Sequence, residues 1–240
     1  VNTMIIRKIF VVTLLLFSLV PTFALAIDEG LYTDGVRYLS VLKNKDNLVK
    51  FHLLEFDINE WETFSGYENS DGSVTIFSHS GENSERWKIS TTTEGVNAVR
   101  ELCLGEDCDG GNVELPFDLY LPDTGGSFSG QYQSLAMQNL IIHQVGNKAI
   151  SIELFQDPFN SNNYDFDIIR WDLVDNTLVI VNTIYSTYDE DDAFEGIISA
   201  TTSGSNNEEL TVTIDNCVVS ADAGLTCEDL EEILSARRIF

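Results

Sequence analysis

The sequence predicts an all-β protein of two tandem, homologous antiparallel β units, of the small barrel or sandwich type, followed by one short C-terminal helix. Apolar and polar residues alternate in short runs, as they do in half-buried strands. Turn residues separate these runs at the spacing typical of barrels and sandwiches. In addition, the segment at 39–54 is repeated at 140–155.

This repeat organises the chain. LSVLKNKDNLVKFHLL at 39–54 aligns without a gap with LIIHQVGNKAISIELF at 140–155, at an offset of 101, so that Phe51 falls opposite Ile152. Further matches lie at 30–32 with 130–132, 62–76 with 166–180, and 90–95 with 199–204, at offsets of 100, 104 and 109. Because insertions into a second copy would make the offset grow in this way, we predict that one β module was duplicated.

Six strands are expected in each unit. They cover 36–43, 48–56, 61–67, 73–77, 86–92 and 96–102 in the first unit, and 138–144, 149–155, 164–172, 177–184, 194–201 and 209–218 in the second. The segment at 96–102 is also compatible with a helical turn. The pattern fits one 12-stranded body or two small domains; we favour two packed domains, because about 95 residues form only a thin core alone.

The chain divides into a signal peptide at 1–26, a first β repeat at 27–108, a linker at 109–129, a second β repeat at 130–227 and a C-terminal helix at 228–240. The linker contains glycines, Pro116 and Pro122, and a short strand is expected within it at 113–121. The helix is indicated by Thr226 as its N-cap, by apolar residues at helical spacing and by two arginines in its last turn.

The N-terminal segment has the form of a secretory signal peptide. Arg7 and Lys8 precede an apolar run at 9–20, and Ala24 and Ala26 supply the small residues of a cleavage site. A retained membrane anchor is the alternative, but a spanning helix needs about 20 apolar residues. We therefore expect an exported protein, periplasmic or extracellular, with no transmembrane segment after cleavage.

The chain is strongly acidic, with 39 acidic against 13 basic residues and a net charge of −26. A field of this sign repels nucleic acid and anionic lipid, so functions that depend on a basic patch are excluded. Such acidity is typical of a solvated surface that keeps an exported protein soluble.

The four cysteines indicate disulfides, because an exported chain is oxidised and the spacing of a zinc site is absent. Each copy has a pair near its end. We therefore predict bonds between Cys103 and Cys108 and between Cys217 and Cys227.

No catalytic residue is predicted. Nucleophile-elbow, zinc-protease and phosphate-loop motifs are absent from the sequence. Glu60 and Glu62 flank Trp61, but alternation puts both carboxylates on the face opposite the indole, which suits solvated acids better than a glycosidase pair. The three histidines do not recur at matching positions of the repeat: His52, His79 and His143.

Calcium is the one cofactor that the loops suggest, because hard cations prefer oxygen ligands. The densest acidic run is formed by Asp189, Glu190, Asp191 and Asp192. Other oxygen-rich loops lie at 107–114 and 157–165. None has the EF-hand spacing, so a plain polar loop is the alternative.

Two aromatic residues are candidates for ligand binding. Tyr67 and Trp171 fall at matching positions of the repeat, with core packing as the alternative. The Gly30-Leu31-Tyr32 opening, followed by antiparallel hairpins, resembles the start of lipocalin- and avidin-type barrels; the resemblance covers only these residues and the strand pattern.

These observations favour a non-enzymatic binding or envelope-interaction module, whose partner is an unknown ligand or envelope component. The alternative is an extracellular hydrolase that acts on polymers with carboxylates of the second copy or of the crevice between the copies. A deep pocket with two facing carboxylates would favour the hydrolase, whereas filled strand interiors would favour an interaction role.

Overall fold

The structure is a computed structural model that describes residues 26–56, 60–80, 83–105, 108, 113–134, 139–156, 164–186, 193–204, 207–219 and 232–240. Within these ranges the chain forms strands and contains no helix. The all-β prediction is confirmed for this part. The predicted signal peptide, except Ala26, and the acidic run at 189–192 lie outside it.

The first unit is an eight-stranded, barrel-like antiparallel sheet. Its strands are β1 (Gly30–Thr33), β2 (Arg37–Lys43), β3 (Leu48–Glu55), β4 (Glu60–Tyr67), β5 (Val74–Ser80), β6 (Asn83–Thr91), β7 (Gly95–Leu104) and β8 (Glu114–Pro122). Successive strands pair, and β8 returns to pair with β1. Among the described residues, β4 and β5 are joined by the single bridge from Glu68 to Val74.

The second unit repeats this scheme as a closed barrel. Its strands are β9 (Gly130–Ser134), β10 (Asn139–Val145), β11 (Lys148–Gln156), β12 (Tyr164–Val174), β13 (Thr177–Ser186), β14 (Ala193–Ser203), β15 (Glu209–Val219) and β16 (Glu232–Arg238). Its two shortest described ladders, of three residue pairs each, join β12 to β13 and β16 to β9. In both units, therefore, the described pairing between the fourth and fifth strands is short.

The predicted C-terminal helix is wrong over 232–240, where the chain forms β16. The apolar spacing there fits a helix locally, but this segment pairs with β15 on one side and β9 on the other. A helix would leave both strand edges unpaired. Two other expectations are resolved: the strand expected within the linker is confirmed as β8 of the first sheet, and 96–102 belongs to β7.

The gapless alignment of the repeat is wrong at its second strand. In the first barrel Lys43 pairs with Val49, whereas at the corresponding place Gln144 pairs with Ala149, so the second hairpin is one residue shorter. A slip of one residue turns every side chain of a strand to the other face. Phe51 accordingly lies in the core of the first barrel, while Ile152 faces outward.

The opening strands of the two barrels agree in detail. Tyr32 and Tyr132 both point into their own core. Each hydroxyl donates to the carbonyl oxygen four residues earlier, at 2.8 Å to Asp28 and 3.0 Å to Phe128. These contacts fix the same entrance geometry for β1 and β9.

An apolar interface joins the two barrels. It is formed by outward-facing residues of strands β1–β3 and β10–β12: Leu31, Leu42, Leu54, Ile141, Ile150, Ile152, Leu154 and Phe166. At its margin Lys50 donates to Gln131 at 3.0 Å, and Arg170 donates to Tyr120 at 3.0 Å. The barrels therefore pack side by side, through the first three strands of one and the second to fourth strands of the other.

One disulfide lies in the described part. Cys103, near the end of β7, is bonded to Cys108 of the segment that leads to β8, with a Cα–Cα distance of 5.6 Å. The Cys217 side chain and Cys227 lie outside the described residues, so the second bond stays a prediction.

Candidate functional site: the cavity of the first barrel

The two aromatic residues selected from the sequence do not come together. Tyr67 is 66% exposed at the end of β4. Trp171 is buried in the second barrel, where its indole N–H donates to Ser151 Oγ at 2.7 Å. Strand pairing makes Gly66, not Tyr67, the counterpart of Trp171. Their role in binding stays a prediction.

Within the described ranges, no three or more His, Cys, Asp or Glu side chains are placed to hold a metal ion. Calcium binding by the run at 189–192 stays a prediction, because that run is not described. The described residues also include no helix long and apolar enough to cross a membrane.

A cavity of about 300 Å³ lies inside the first barrel. Much of its wall is apolar: Leu39, Phe51, Phe64, Ile76, Ala98 and Phe117. Ile27, Tyr32, Val74 and Val96 belong to the same core but do not line the cavity. The cavity therefore occupies one end of the barrel, the end at which the Cys103–Cys108 segment connects β7 to β8.

Strand alternation brings three polar side chains to the inner wall of this cavity. Trp87 of β6 and Arg100 of β7 are directly paired across neighbouring strands. Arg100 Nη1 donates to Glu85 Oε1 at 3.0 Å, and Trp87 Nε1 donates to Glu85 Oε2 at 2.8 Å. Because both Glu85 oxygens accept hydrogen bonds, the guanidinium and the indole are held in fixed positions.

A second ion pair stands at the rim. Arg37 Nε and Nη2 lie 2.9 Å and 2.6 Å from Asp34 Oδ2, and Arg37 Nη1 lies 4.0 Å from Glu55. Burial by itself would raise the pKa of Asp34, but hydrogen bonds from the backbone N–H groups of Arg37 and Val36, together with the guanidinium, lower it. The Arg37 guanidinium also lies 5.6 Å from the centre of the Phe117 ring.

Among the described residues, the second barrel has no such polar wall at the corresponding place. Its β14 and β15 pair Ile198 with Ile214 at the position where the first barrel pairs Trp87 with Arg100. Ile198 and Ile214 are both buried in the second core. The same strand scheme therefore carries an aliphatic pair in one barrel and an indole with a guanidinium in the other.

No protein-family model matches the chain. No curated protein and no solved structure matches it either. The function must therefore be inferred from the geometry and charges of the chain itself.

A buried Ser–His–Asp chain crosses the interface between the barrels. Ser40 Oγ lies 2.8 Å from His143 Nε2, and His143 Nδ1 lies 3.1 Å from Asp123 Oδ2. These distances resemble a hydrolase triad. However, the Ser40 and His143 side chains are fully buried, so no substrate can reach the hydroxyl. The chain connects β2, β10 and the segment after β8, and thus links the two barrels by hydrogen bonds.

Asp123 is stabilised as a carboxylate within this chain. Ser129 Oγ donates to its Oδ1 at 2.6 Å, and the Gly125 N–H donates at 2.8 Å. Burial would raise the pKa of Asp123, but the hydrogen bond and charge of His143, with those from Ser129 and Gly125, lower it. The negative charge is therefore retained inside the interface.

His52 is the other buried histidine of the interface. Its Nδ1 lies 2.8 Å from Thr63 Oγ1, and its Nε2 has no hydrogen-bond partner among the described residues. Burial, with smaller contributions from Lys50 and His143, lowers the pKa of His52 to about 3. The imidazole is therefore neutral at neutral pH.

A wider cleft of about 620 Å³ lies where the two barrels meet. Turn residues and charged side chains line most of it, and Phe240 is the one aromatic residue in its lining. It lacks the apolar floor that a small organic ligand requires. The cavity of the first barrel is therefore the better candidate site.

Sequence reasoning missed Glu85, Trp87 and Arg100. The sequence contains a signal, because Val96, Ala98 and Arg100 occupy every second position and so lie on one face of β7. On that face a cationic residue follows two apolar ones. The counterpart run in the second barrel, which ends at Ile214, stays apolar.

Proposed function

We propose that the first barrel binds a small organic molecule in its cavity and that the protein is an exported binding module. A cavity of about 300 Å³ is at the lower end of the range for ligand pockets. Its apolar floor and few fixed polar groups match the general composition of such pockets. An eight-stranded barrel is wide enough to hold one small ligand.

One observation carries this proposal: the Trp87–Arg100–Glu85 wall stands where the second barrel has two isoleucines. Arg100 and Glu85 are only 11% and 26% exposed. A partly buried ion pair carries a desolvation cost that an aliphatic pair avoids. Since the fold tolerates the aliphatic pair, the polar wall serves recognition better than stability.

Filling the cavity tests the proposal. Ala98 is buried and lines the cavity, so Ala98→Phe should occupy the space of the ligand. We expect 2-naphthalenemethanol, followed by calorimetry, to bind the wild-type protein and to bind A98F at least tenfold more weakly. Leu102→Phe, on the outer face of the same strand, is the control and should change affinity less than twofold.

Circular dichroism establishes that A98F is folded, and Ser78→Phe fills the cavity from β5 if it is not. Equal affinity of the wild-type protein and a folded, filled variant would contradict the proposal.

A polymer hydrolase is the second candidate, because carboxylates also line the cavity. Leu53 pairs with Glu62 and Glu55 pairs with Glu60, which makes Glu55 and Glu62 diagonal neighbours on one wall. A glycosidase needs two carboxylates on either side of the scissile bond. Release of reducing ends from a polysaccharide panel by the wild-type protein, and its loss in Glu62→Gln, would favour this candidate.

We also infer that the two barrels arose by duplication of one module. In support, both barrels have the same order of strand pairing, and the pairings relate Tyr32 to Tyr132 at an offset of 100 and Ala98 to Val212 at an offset of 114. The offset of 114 also relates Cys103 to Cys217. Export is inferred from the N-terminal sequence and is tested by finding the mature N-terminus at Ile27.

A further inference from the structure

The charges around the cavity of the first barrel do not balance. Arg37 and Arg100 are the cations of its lining, and Glu55, Glu62 and Glu85 are the anions. Asp34, which holds Arg37 at the rim, adds a fourth carboxylate. Two positive charges thus stand against four negative ones, and a bound cation would reduce this imbalance.

Both guanidinium groups are already engaged by carboxylates. Arg37 lies against Asp34, with Glu55 4.0 Å from its Nη1, and Arg100 donates to Glu85. An anionic ligand would have to displace one of these carboxylates or lie beside it, and like charges in a confined site repel strongly. The two arginines therefore position carboxylates and do not form an anion site.

The apolar wall also suits a cation. The aromatic rings of Phe51, Phe64, Trp87 and Phe117 line the cavity. Aromatic ring faces attract ammonium and guanidinium groups, most strongly when the site is desolvated. The net charge of −26 acts in the same direction, because it raises the concentration of cations at the protein surface.

We propose that the ligand of the first barrel is a small organic cation, with an ammonium or guanidinium group facing Glu55 and Glu62 and an aromatic or aliphatic body against the phenylalanines. This inference rests on the proposed function, because it names the class of ligand for the same cavity. A body of about ten to fifteen non-hydrogen atoms fits the available volume.

An isosteric series separates charge from shape. The probes are 2-naphthylmethylammonium, 2-naphthalenemethanol and 2-naphthoate, which are cationic, neutral and anionic at pH 7. We expect the cation to bind at least tenfold more tightly than the alcohol and the carboxylate to bind most weakly. Raising the salt concentration from 20 to 500 mM should weaken the cation several-fold and leave the alcohol unchanged.

Substitutions of carboxylates test whether the preference for a cation arises in the cavity. The double variant Glu55→Gln, Glu62→Gln should weaken binding of the cation at least tenfold and change binding of the alcohol less than twofold. Glu101→Gln removes an exposed carboxylate on the outer face of β7, where it pairs with Arg86, and is the matched control. It should leave all three affinities within twofold of wild type.

Two results would overturn the inference while the proposed function stands: the alcohol or the carboxylate binding as tightly as the cation, or the double variant binding the cation as well as E101Q does. If none of the three probes binds the wild-type protein, the proposed function fails, and the cation inference fails with it.

Discussion

The two barrels have one strand scheme and two different interiors. The first leaves a cavity with a polar wall of Glu85, Trp87 and Arg100, whereas the second is packed with aliphatic and aromatic side chains, including Trp171 and Ile214. Hydrogen bonding along the strands does not depend on what fills the barrel. The comparison shows that the same strand pairing permits different side chains, and therefore a different use, inside each barrel.

In each barrel, a large side chain on one strand lies beside a small residue on the neighbouring strand. In the first barrel Phe51 lies on β3 and Gly66 on β4, and a Cβ at Gly66 would come within 2.4 Å of the Thr75 carbonyl oxygen. At the corresponding places the second barrel has Ser151 and Trp171, joined by a hydrogen bond. The first barrel thus has the large residue on its third strand and the small one on its fourth, and the second barrel has them the other way round.

The largest effect is expected from removing the buried indole of the second barrel. Trp171→Ala removes a buried indole and leaves the Ser151 hydroxyl without its donor, so the free energy of unfolding should fall by about 3–5 kcal/mol. Urea denaturation measures this change. Tyr67→Ala, at the exposed aromatic position of the first barrel, should cost no more than about 0.5 kcal/mol. A loss from Trp171→Ala as small as that from Tyr67→Ala would show that the indole does not fill the second barrel.

A smaller effect is expected at the open end of the first barrel. Replacing Cys103 and Cys108 by alanine removes a short-range disulfide, which should lower the free energy of unfolding by about 2 kcal/mol on the chain-entropy account. Hydrogen exchange should show the loss of protection in β7 and β8 and not in β15. Equal deprotection of both barrels would show that the bond stabilises the whole molecule and not the cavity end alone.

A third effect depends on pH and concerns the interface, where His52 stands at the place of Ile152. In the unfolded chain His52 takes up a proton near its ordinary pKa of 6.5, but in the folded chain only near 3. Between these values the unfolded state binds more protons, so stability decreases as the pH falls. His52→Ile should reduce this decrease between pH 7 and pH 4 in denaturant titrations.

Two other ionisable groups of the interface change the stability with pH in opposite directions. The lowered pKa of Asp123 adds a loss of stability as the pH falls below 3.8. Burial raises the pKa of Glu29, so its contribution is lost as the pH rises above 4.5. Because both groups are present in wild type and in His52→Ile, the difference between the two curves isolates His52. Parallel curves would rule out its titration as a source of acid sensitivity.

Local patterns were sufficient to predict most of the strands and both hairpins of the repeat. Alternation located 48–56 and 149–155, and the residues of each turn marked where the chain reverses. The predicted register between the two units is wrong because it depends on the length of one turn, and a gapless alignment cannot detect a single missing residue. The C-terminal segment was misread because its apolar spacing fits a helix, whereas closure of the barrel requires a strand there.

The candidate site could be anticipated only in part. Arg100 interrupts an apolar face, which sequence alone reveals, but its pairing with Glu85 requires the register between β6 and β7. The Ser40–His143–Asp123 chain joins residues up to 103 positions apart, and no local pattern indicates it. Long-range contacts of this kind follow from how the barrels pack.

The buried Ser40–His143–Asp123 chain also determines how the molecule can be divided. Each barrel supplies one of its links, and the segment between the barrels supplies the third. A fragment that ended at Thr124 would leave Leu42 and Leu54 in water, while the other half would carry Ile141 and Ile152 uncovered and a buried histidine with neither of its neighbours. Because separation would expose these apolar residues to water, we expect neither half to be an autonomous folding unit, and a fragment that keeps the cavity of the first barrel should also include the second barrel.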